Sequence, residues 1–448
     1  MVCEAGSPNK KVCVIGAGPA GLVAARELHK EGHNVVVLEQ NQDVGGQWLY
    51  NPNVDKEHPM GRRQFLEVHS SMYASMRVAS PREIMGYTDF PFVAKESGDG
   101  RRFPGHREVL MYLQDFCERF ELREMIQFNT RVESATMLEY PVPPEDLKWI
   151  VRSNVAEEVY DAVVVATGHY SHPRLPKING MDSWKRRQMH SHIYRVPEPF
   201  KNEIVVVVGS SSSGQDISVE LVKSAKEIHL SSKPPTVSEG LSKVISKYDK
   251  LHLHPQIESL HEDGRVLFTD GSSIIADSII YCTGYSYSFP FLDTKGLVVI
   301  DDDRVGPLYE QTFPPLLAPS LSFVGIPRRV ISFPFFESQA KWIAQLLSGK
   351  RKLPSWDDMM QSIKDFYHKR DAAGIPKHNT HLIIECYKYS DRYADYSDSP
   401  HLEEWRKKLC TSVAKNAEAN LETFRDSYEE DIEMLQVAYN SPHFTQFK

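Results

Sequence analysis

Lys11-Val12-Cys13-Val14-Ile15-Gly16-Ala17-Gly18-Pro19-Ala20-Gly21 is the stretch whose reading decides the fold. Its first part is apolar, largely β-branched and too short for a helix, which predicts a buried strand. The G-x-G-x-x-G that follows opens into Leu22-Val23-Ala24-Ala25-Arg26-Glu27-Leu28, a segment of helical composition. In that order the glycines permit a tight turn, close approach of a pyrophosphate and close helix–strand packing, with the phosphate at the helix N-terminus. A second strand, Asn34-Val35-Val36-Val37-Leu38, ends in Glu39, 23 residues after Gly16. That is close to the roughly 20 expected for an acid that hydrogen-bonds a ribose diol. Gly45-Gly46-Gln47-Trp48 then offers a further close backbone approach to the same ligand.

A second signature lies further along. Ile204-Val205-Val206-Val207-Val208 enters Gly209-Ser210-Ser211-Ser212-Ser213-Gly214, a G-x-S-x-x-G in which Ser211 replaces the middle glycine. A serine there still permits close approach and adds a hydroxyl that can donate to phosphate. The next strand, Glu227-Ile228-His229-Leu230, ends in Ser231-Ser232-Lys233, with no carboxylate where a ribose-binding acid would stand. Hydroxyls and a lysine accept a 2′-phosphate that a carboxylate would repel, which favours NADPH over NADH. The competing reading is that Lys233 is a loop lysine before Pro234-Pro235.

Around these signatures the chain is an ordinary globular mixture of 448 residues, 41% hydrophobic and 25% charged, with net charge −8. Disorder, collagen-like repeats and coiled coil fit poorly, and a mildly acidic chain is not built as a general nucleic-acid binder. The short runs Lys185-Arg186-Arg187 and Lys350-Arg351-Lys352 belong to no longer basic stripe. Six cysteines, at 3, 13, 117, 282, 386 and 410, form no C-x-x-C pair, as expected of reduced thiols. No apolar leader and no run of roughly 18 apolar residues is present. The expectation is a soluble cytoplasmic protein without a membrane anchor, with a homo-oligomer left open.

Ala162-Val163-Val164-Val165-Ala166-Thr167-Gly168 and Ser278-Ile279-Ile280-Tyr281-Cys282-Thr283-Gly284 bracket the second signature, about 115 residues apart. Both read as buried strands ending in a turn, and Asp270-Gly271 reads as a hairpin turn. The fold class expected is α/β, with two Rossmann-like dinucleotide-binding domains, the second inserted into a split first. The expected bounds are residues 1–170 and 286–448 for the split domain and 171–285 for the insert. Two linkers between the domains make a cleft, a usual place for a ligand. Helical patterns follow at Trp356–Tyr367, Glu403–Cys410 and Ala417–Tyr428, and the tyrosine-rich stretch Tyr387–Tyr396 reads as packing.

Together these residues resemble the flavin-containing monooxygenases. That family carries F-x-G-x-x-x-H-x-x-x-Y/F just before its second signature. Here the stretch runs from Trp184 through Arg186 and His190 to Tyr194, so the histidine and the aromatic end match while Phe and Gly do not. Asp89-Phe90-Pro91-Phe92 and Phe333-Pro334-Phe335-Phe336-Glu337-Ser338-Gln339 also fit. Lacking an anchor, the chain looks most like soluble insect members such as the pyrrolizidine alkaloid N-oxygenases.

The resemblance implies FAD at Gly16, Gly18, Pro19, Ala20, Gly21, Glu39, Gly46, Gln47, Trp48 and Gln339. It implies NADPH at Gly209, Ser210, Ser211, Ser212, Ser213, Gly214, Ser231 and Lys233. It further implies an enzyme that passes one oxygen atom of O₂, through a C4a-hydroperoxyflavin, to a soft small-molecule nucleophile. A tertiary amine such as an alkaloid is the first expectation and a sulfide the second. One departure is Ala79, which stands where the family has an asparagine facing the flavin, leaving Ser80, Arg77 or the nucleotide to take that place. Alternatives are a Baeyer–Villiger-type monooxygenase, an NADPH oxidase releasing peroxide, and a non-catalytic dinucleotide sensor. A flavin disulfide reductase would need a redox cysteine pair. No catalytic side chain is assigned. The alternating pairs His190/His192 and His252/His254 lack a Cys or carboxylate partner in sequence, so no metal is expected. His190 and Tyr194 are expected to tie the linker between domains.

Overall fold

Runs such as Val35-Val36-Val37 are uniformly apolar because both faces of the strand they form are covered. The computed structural model describes residues 9–54, 57–62, 68–143, 146–233, 237–428 and 431–446. Cys3, Pro234, Pro235 and Lys448 lie outside them. The first sheet is parallel, in the order Leu321–Phe323, Ala162–Val165, Lys11–Ile15, Asn34–Leu38, Ile126–Gln127. Ile15 lies in register with Leu38 on one side and Val165 on the other. Gly16, Glu39 and Ala166 therefore emerge together at one edge, at the switch point where the strand order reverses.

Alternation along the first strand divides two cores. Val12 and Val14 pack with the helices Pro19–Lys30 and Ser332–Leu347. Cys13 and Ile15 pack against the other layer, which includes Trp149 and Tyr160. Arg26, 2% exposed, ties the two helices by pairing with Glu27 and Asp89 at 2.7 Å and Glu337 at 3.1 Å. The cationic partners Arg26 and Lys341 outweigh burial and hold the Glu337 carboxyl at about 2.

The second sheet repeats the plan, in the order Leu251–His254, Glu227–Ser231, Ile204–Val208, Ser278–Tyr281, Arg187–His190, all parallel. Val205 and Val207 face the helices, while Val206 and Val208 face a small antiparallel sheet. The Asp270-Gly271 turn joins two strands of that small sheet, Arg265–Phe268 and Ser273–Ile275, with Gly271 at φ +83°. Because Leu321–Phe323 returns to the first sheet, the second unit is inserted into the first. The two connections between them pair antiparallel, His172–Pro173 with Tyr285–Ser286.

The C-terminal region follows with the helices Trp356–Ala372, Cys386–Ser397 and Glu404–Ala419. Tyr389 and Tyr393 are buried packing residues of the first core. The helix expected over Ala417–Tyr428 is corrected. It ends at Ala419, and turns follow. A continuous helix would put residues three apart on one face. Instead Leu421 enters the core of the inserted unit and Phe424 that of the first, so the chain must turn between them. Arg425 completes this strap, donating to Asp216 at 2.9 Å in the insert and to the Val78 carbonyl at 3.1 Å.

Candidate functional site

At the edge of the first sheet a cavity of about 280 Å³ opens above Gly16, Gly18, Pro19, Ala20, Glu39, Gly46, Gln47 and Trp48. The three glycines of the first signature have separate physical reasons. A Cβ on Gly21 would stand 1.8 Å from the Gly16 carbonyl oxygen, and one on Gly16, at φ +104°, 2.8 Å from that of Ala166. Those two positions are closed by backbone. A Cβ on Gly18 would meet only Gly46, its Cα at an ordinary 3.5 Å and its N at 3.9 Å. Its missing side chain therefore leaves room on the cavity side, where a phosphate reaches the first turn of the helix. Gly45 N–H donates to the Ala17 carbonyl at 3.0 Å and brings the paired glycines against this turn.

Glu39 is 3% exposed. Its Oε2 accepts the Ala17 N–H at 2.7 Å and its Oε1 the Asn41 N–H at 2.8 Å. Burial raises the carboxyl above its ordinary value, against the pull of those N–H groups. The acid thus holds the glycine turn as well as facing the cavity; Oε1 also accepts the Asn41 side-chain amide at 2.8 Å, and Oε2 keeps a lone pair for a ribose hydroxyl. Gly21 and Gln339 do not line the cavity. Gln339 is wholly buried, accepting the Gly325 N–H at 3.0 Å and donating to Thr312 Oγ1 at 2.7 Å. It fixes Gly325, which does form the wall, so direct contact with a ligand is replaced by a supporting position.

Sequence reasoning missed Thr130, His169 and Arg329 at the wall, whereas Phe333 and Phe336, also at the wall, belong to the Phe333–Gln339 stretch quoted above. No local pattern marks the first three, because they come from strand ends distant in sequence. Among the described residues Gln47 Oε1, Thr167 Oγ1 and His169 Nε2 are buried, make no hydrogen bond and belong to cavity-lining residues. Orphaned polar atoms along an otherwise apolar cleft are what a polar-edged ring system satisfies. With the Gly18 cradle and Glu39 they fit FAD. His169 Nδ1 donates to the Gly325 carbonyl at 2.8 Å, and burial lowers both His169 and His69 to about 4.

The second cradle is built the same way. A Cβ on Gly214 would lie 1.7 Å from the Gly209 carbonyl oxygen, and Gly209 has φ +106°. Ser211, Ser212 and Ser213 are exposed at the start of the helix Ser212–Leu221, whose cap position, Ser211, makes no side-chain hydrogen bond. The free N–H groups there suit a phosphate. Ser210 Oγ lies 2.7 Å from Ser232 Oγ, and Lys233 is exposed beside them. Ser231 is corrected. It is 3% exposed and its hydroxyl is spent on the Pro255 carbonyl at 2.9 Å, so it supports the strand end and does not face a ligand.

Between the cradles, Tyr194 is fully buried, donates to Glu220 at 2.8 Å and sits edge-on to Tyr73 at 5.6 Å. His190 is also fully buried and ends its strand, and His192 lies in the turn Ser191–Ile193 rather than on the strand. His192 Nε2 donates to the Val68 carbonyl at 2.9 Å. Ala79 is exposed and outside the cavity lining. Arg77 cannot stand in for an asparagine there, being held by Asp426 at 2.8 Å and the Phe103 carbonyl at 2.8 Å. Cys282, beside the second cradle, is buried and its thiol is pushed up to about 12. It is no thiolate nucleophile of the kind a disulfide reductase needs. For the His252/His254 pair the expected lack of a carboxylate partner is corrected as well, since the fold sets Glu227 beside His229 and His252.

Comparison with known proteins bears on this pair of cradles. The model of the family described as "Flavin-binding monooxygenase-like" matches residues 9–247 and 232–398. "Flavin-containing monooxygenase FMO GS-OX-like 9" of Arabidopsis thaliana is 65% identical, covering 98% of this chain and 97% of its own. The structure of S-allyl-L-cysteine S-oxygenase from Allium sativum superposes with a TM-score of 0.92 at 43% identity, over 99% of this chain and 100% of that one. OTEMO in complex with FAD and NADP, 16% identical with a TM-score of 0.59 over 89% of this chain and 99% of that one, shares the fold. Among the described residues no helix is long and apolar enough to cross a membrane.

Proposed function

The chain belongs to the flavin-binding monooxygenase-like family, with FAD and NADPH as cofactors, and on that premise we propose that it oxygenates the sulfur of a small thioether. The observation that carries this reading is the likeness to the Allium S-oxygenase, which runs the length of both chains at 43% identity. The alkaloid N-oxygenation expected above rests on sequence resemblance alone, and a tertiary amine becomes the competing substrate.

We assign FAD to the first cradle and NADPH to the second, and place the divisions of the chain at 1–170, 171–285 and 286–448. Gly18 admits the FAD pyrophosphate to the helix N-terminus, where the partial positive charge favours it. Glu39 accepts from the ribose while holding Ala17. Gln47, Thr167 and His169 meet the polar edge of the ring with their unpartnered atoms, and Trp48, Phe333 and Phe336 wall it from water. In the second cradle Ser211 and Ser212 offer N–H groups to phosphate, and Lys233 pairs with the 2′-phosphate. Bound FAD, once reduced by NADPH, supplies the activation of O₂. His69 and His169, held neutral by burial, add no ready proton at the place of reaction.

Purified protein should be yellow, bleach with NADPH without oxygen, and on aeration convert S-allyl-L-cysteine to its sulfoxide, one per NADPH consumed. Faster turnover of a tertiary amine than of the thioether would overturn the sulfur assignment. Peroxide released mole for mole with NADPH, whatever substrate is present, would overturn the monooxygenase reading in favour of an oxidase.

A further inference from the structure

Glu227, His229 and His252 meet outside both cradles. Parallel pairing of Glu227–Ser231 with the edge strand Leu251–His254 sets His252 beside His229. Glu227, two residues earlier than His229, projects from the same face. One ligand atom from each side chain lies within 4.8 Å of the others. The His229 side chain is 6% exposed, and the other two are half-buried at the edge, which leaves a way in.

His229 is oriented as a ligand would be. Its Nε2 is buried and makes no hydrogen bond, Glu227 Oε2 being 3.4 Å away but outside hydrogen-bond geometry. Its Nδ1 lies 2.9 Å from His254 Nε2. In the tautomer whose Nδ1–H donates to His254, Nε2 keeps its lone pair for the cluster. His254 is itself fixed by stacking on Phe268, 4.1 Å between centroids and 13° between planes. A metal-binding histidine is usually held by an acceptor for its other ring N–H, and His254 Nε2 stands in that place here.

We propose that Glu227, His229 and His252 bind one divalent ion of the zinc type, through a carboxylate oxygen, Nε2 and a ring nitrogen respectively. Two imidazoles with one carboxylate suit zinc better than magnesium or calcium, and three protein ligands leave a fourth tetrahedral position for water. The ion would clip the edge strand to the strand that ends two residues before Lys233. This site is independent of the oxygenation chemistry.

The test is calorimetric titration of chelator-treated, FAD-loaded protein with zinc. The expected result is one ion per chain, undisplaced by excess magnesium. In His252→Gln and in Glu227→Gln the affinity should fall at least about tenfold. These half-exposed positions carry the test because replacing buried His229 risks the fold, and unchanged flavin absorbance and circular dichroism confirm that the variants are intact. Zinc binding unchanged in both variants, or seen only at millimolar zinc, overturns the proposal.

Discussion

Alanine at Gly18 and alanine at Gly21 are chemically the same change, and the structure assigns them opposite consequences. At Gly18 the backbone has φ −74°, which suits alanine, and the new methyl meets Gly46 Cα at 3.5 Å. Only the capping preference of the first helical turn is lost, about 1 kcal/mol. The methyl nevertheless occupies the side from which the pyrophosphate reaches the helix. Losing one charge-assisted N–H hydrogen bond costs about 1.5–3 kcal/mol, which is roughly 10- to 150-fold in FAD affinity. At Gly21 the methyl would lie 1.8 Å from the Gly16 oxygen and 2.8 Å from its carbon. Both are backbone atoms, so no rotamer relieves the clash, and the helix must leave the strand. A loss of about 3 kcal/mol or more follows. FAD titration of apoprotein by flavin fluorescence, with thermal melts by circular dichroism, separates the two. The reasoning fails if Gly18→Ala binds FAD within about threefold of the parent, or if Gly21→Ala melts where the parent does.

Lys233→Ala should raise the KM for NADPH about tenfold and leave kcat and the KM for NADH unchanged, as expected for loss of one charge-assisted contact to a 2′-phosphate. An unaltered NADPH preference would refute the assignment. Arg26→Ala leaves Glu337, whose side chain is 1% exposed, with Lys341 as its remaining cation at 2.7 Å. Urea unfolding should show a loss of about 3–5 kcal/mol. Fully buried His190 and 3% exposed His192 are lowered to about 3 and about 4. The unfolded chain takes up their protons near pH 6.5, so stability is complete above about that pH and falls as acid approaches the native values. Each costs about 2 kcal/mol by pH 5, and His192→Gln should reduce the pH 7 to pH 5 difference by about that amount. Arg425→Ala removes the bonds to Asp216 at 2.9 Å and to Val78 at 3.1 Å. Limited proteolysis should then cut the linkers between the units faster, and equal rates would show that Leu421 and Phe424 suffice.

Both cradles were legible because each is local. A strand, a glycine turn and a helix follow one another directly, from Lys11 to Lys30 and from Ile204 to Leu221, and their order carries the geometry. The placements of Gln339, Ser231 and the tail are not legible locally, for the opposite reason. Whether Gln339 touches the cavity or stands behind Gly325 depends on the angle at which Ser332–Leu347 returns to the first sheet. Ser231 belongs to a motif position, yet its hydroxyl turns to Pro255 because the edge strand passes on that side. The helical pattern at Ala417–Tyr428 is real locally, but burying Leu421 and Phe424 in two cores outweighs the propensity of one turn.

The strand-and-glycine spacing by itself determined an α/β chain with one dinucleotide unit inside another, since short-range sterics allow those glycines little else. The tertiary structure alone decided which glycine faces a ligand and which faces backbone, and which polar atoms are left unpaired at the cavity. It also brought a carboxylate to two histidines 23 residues apart in sequence. These are contacts between strands, and strand register is set by burial across the whole sheet, which no local run of residues contains.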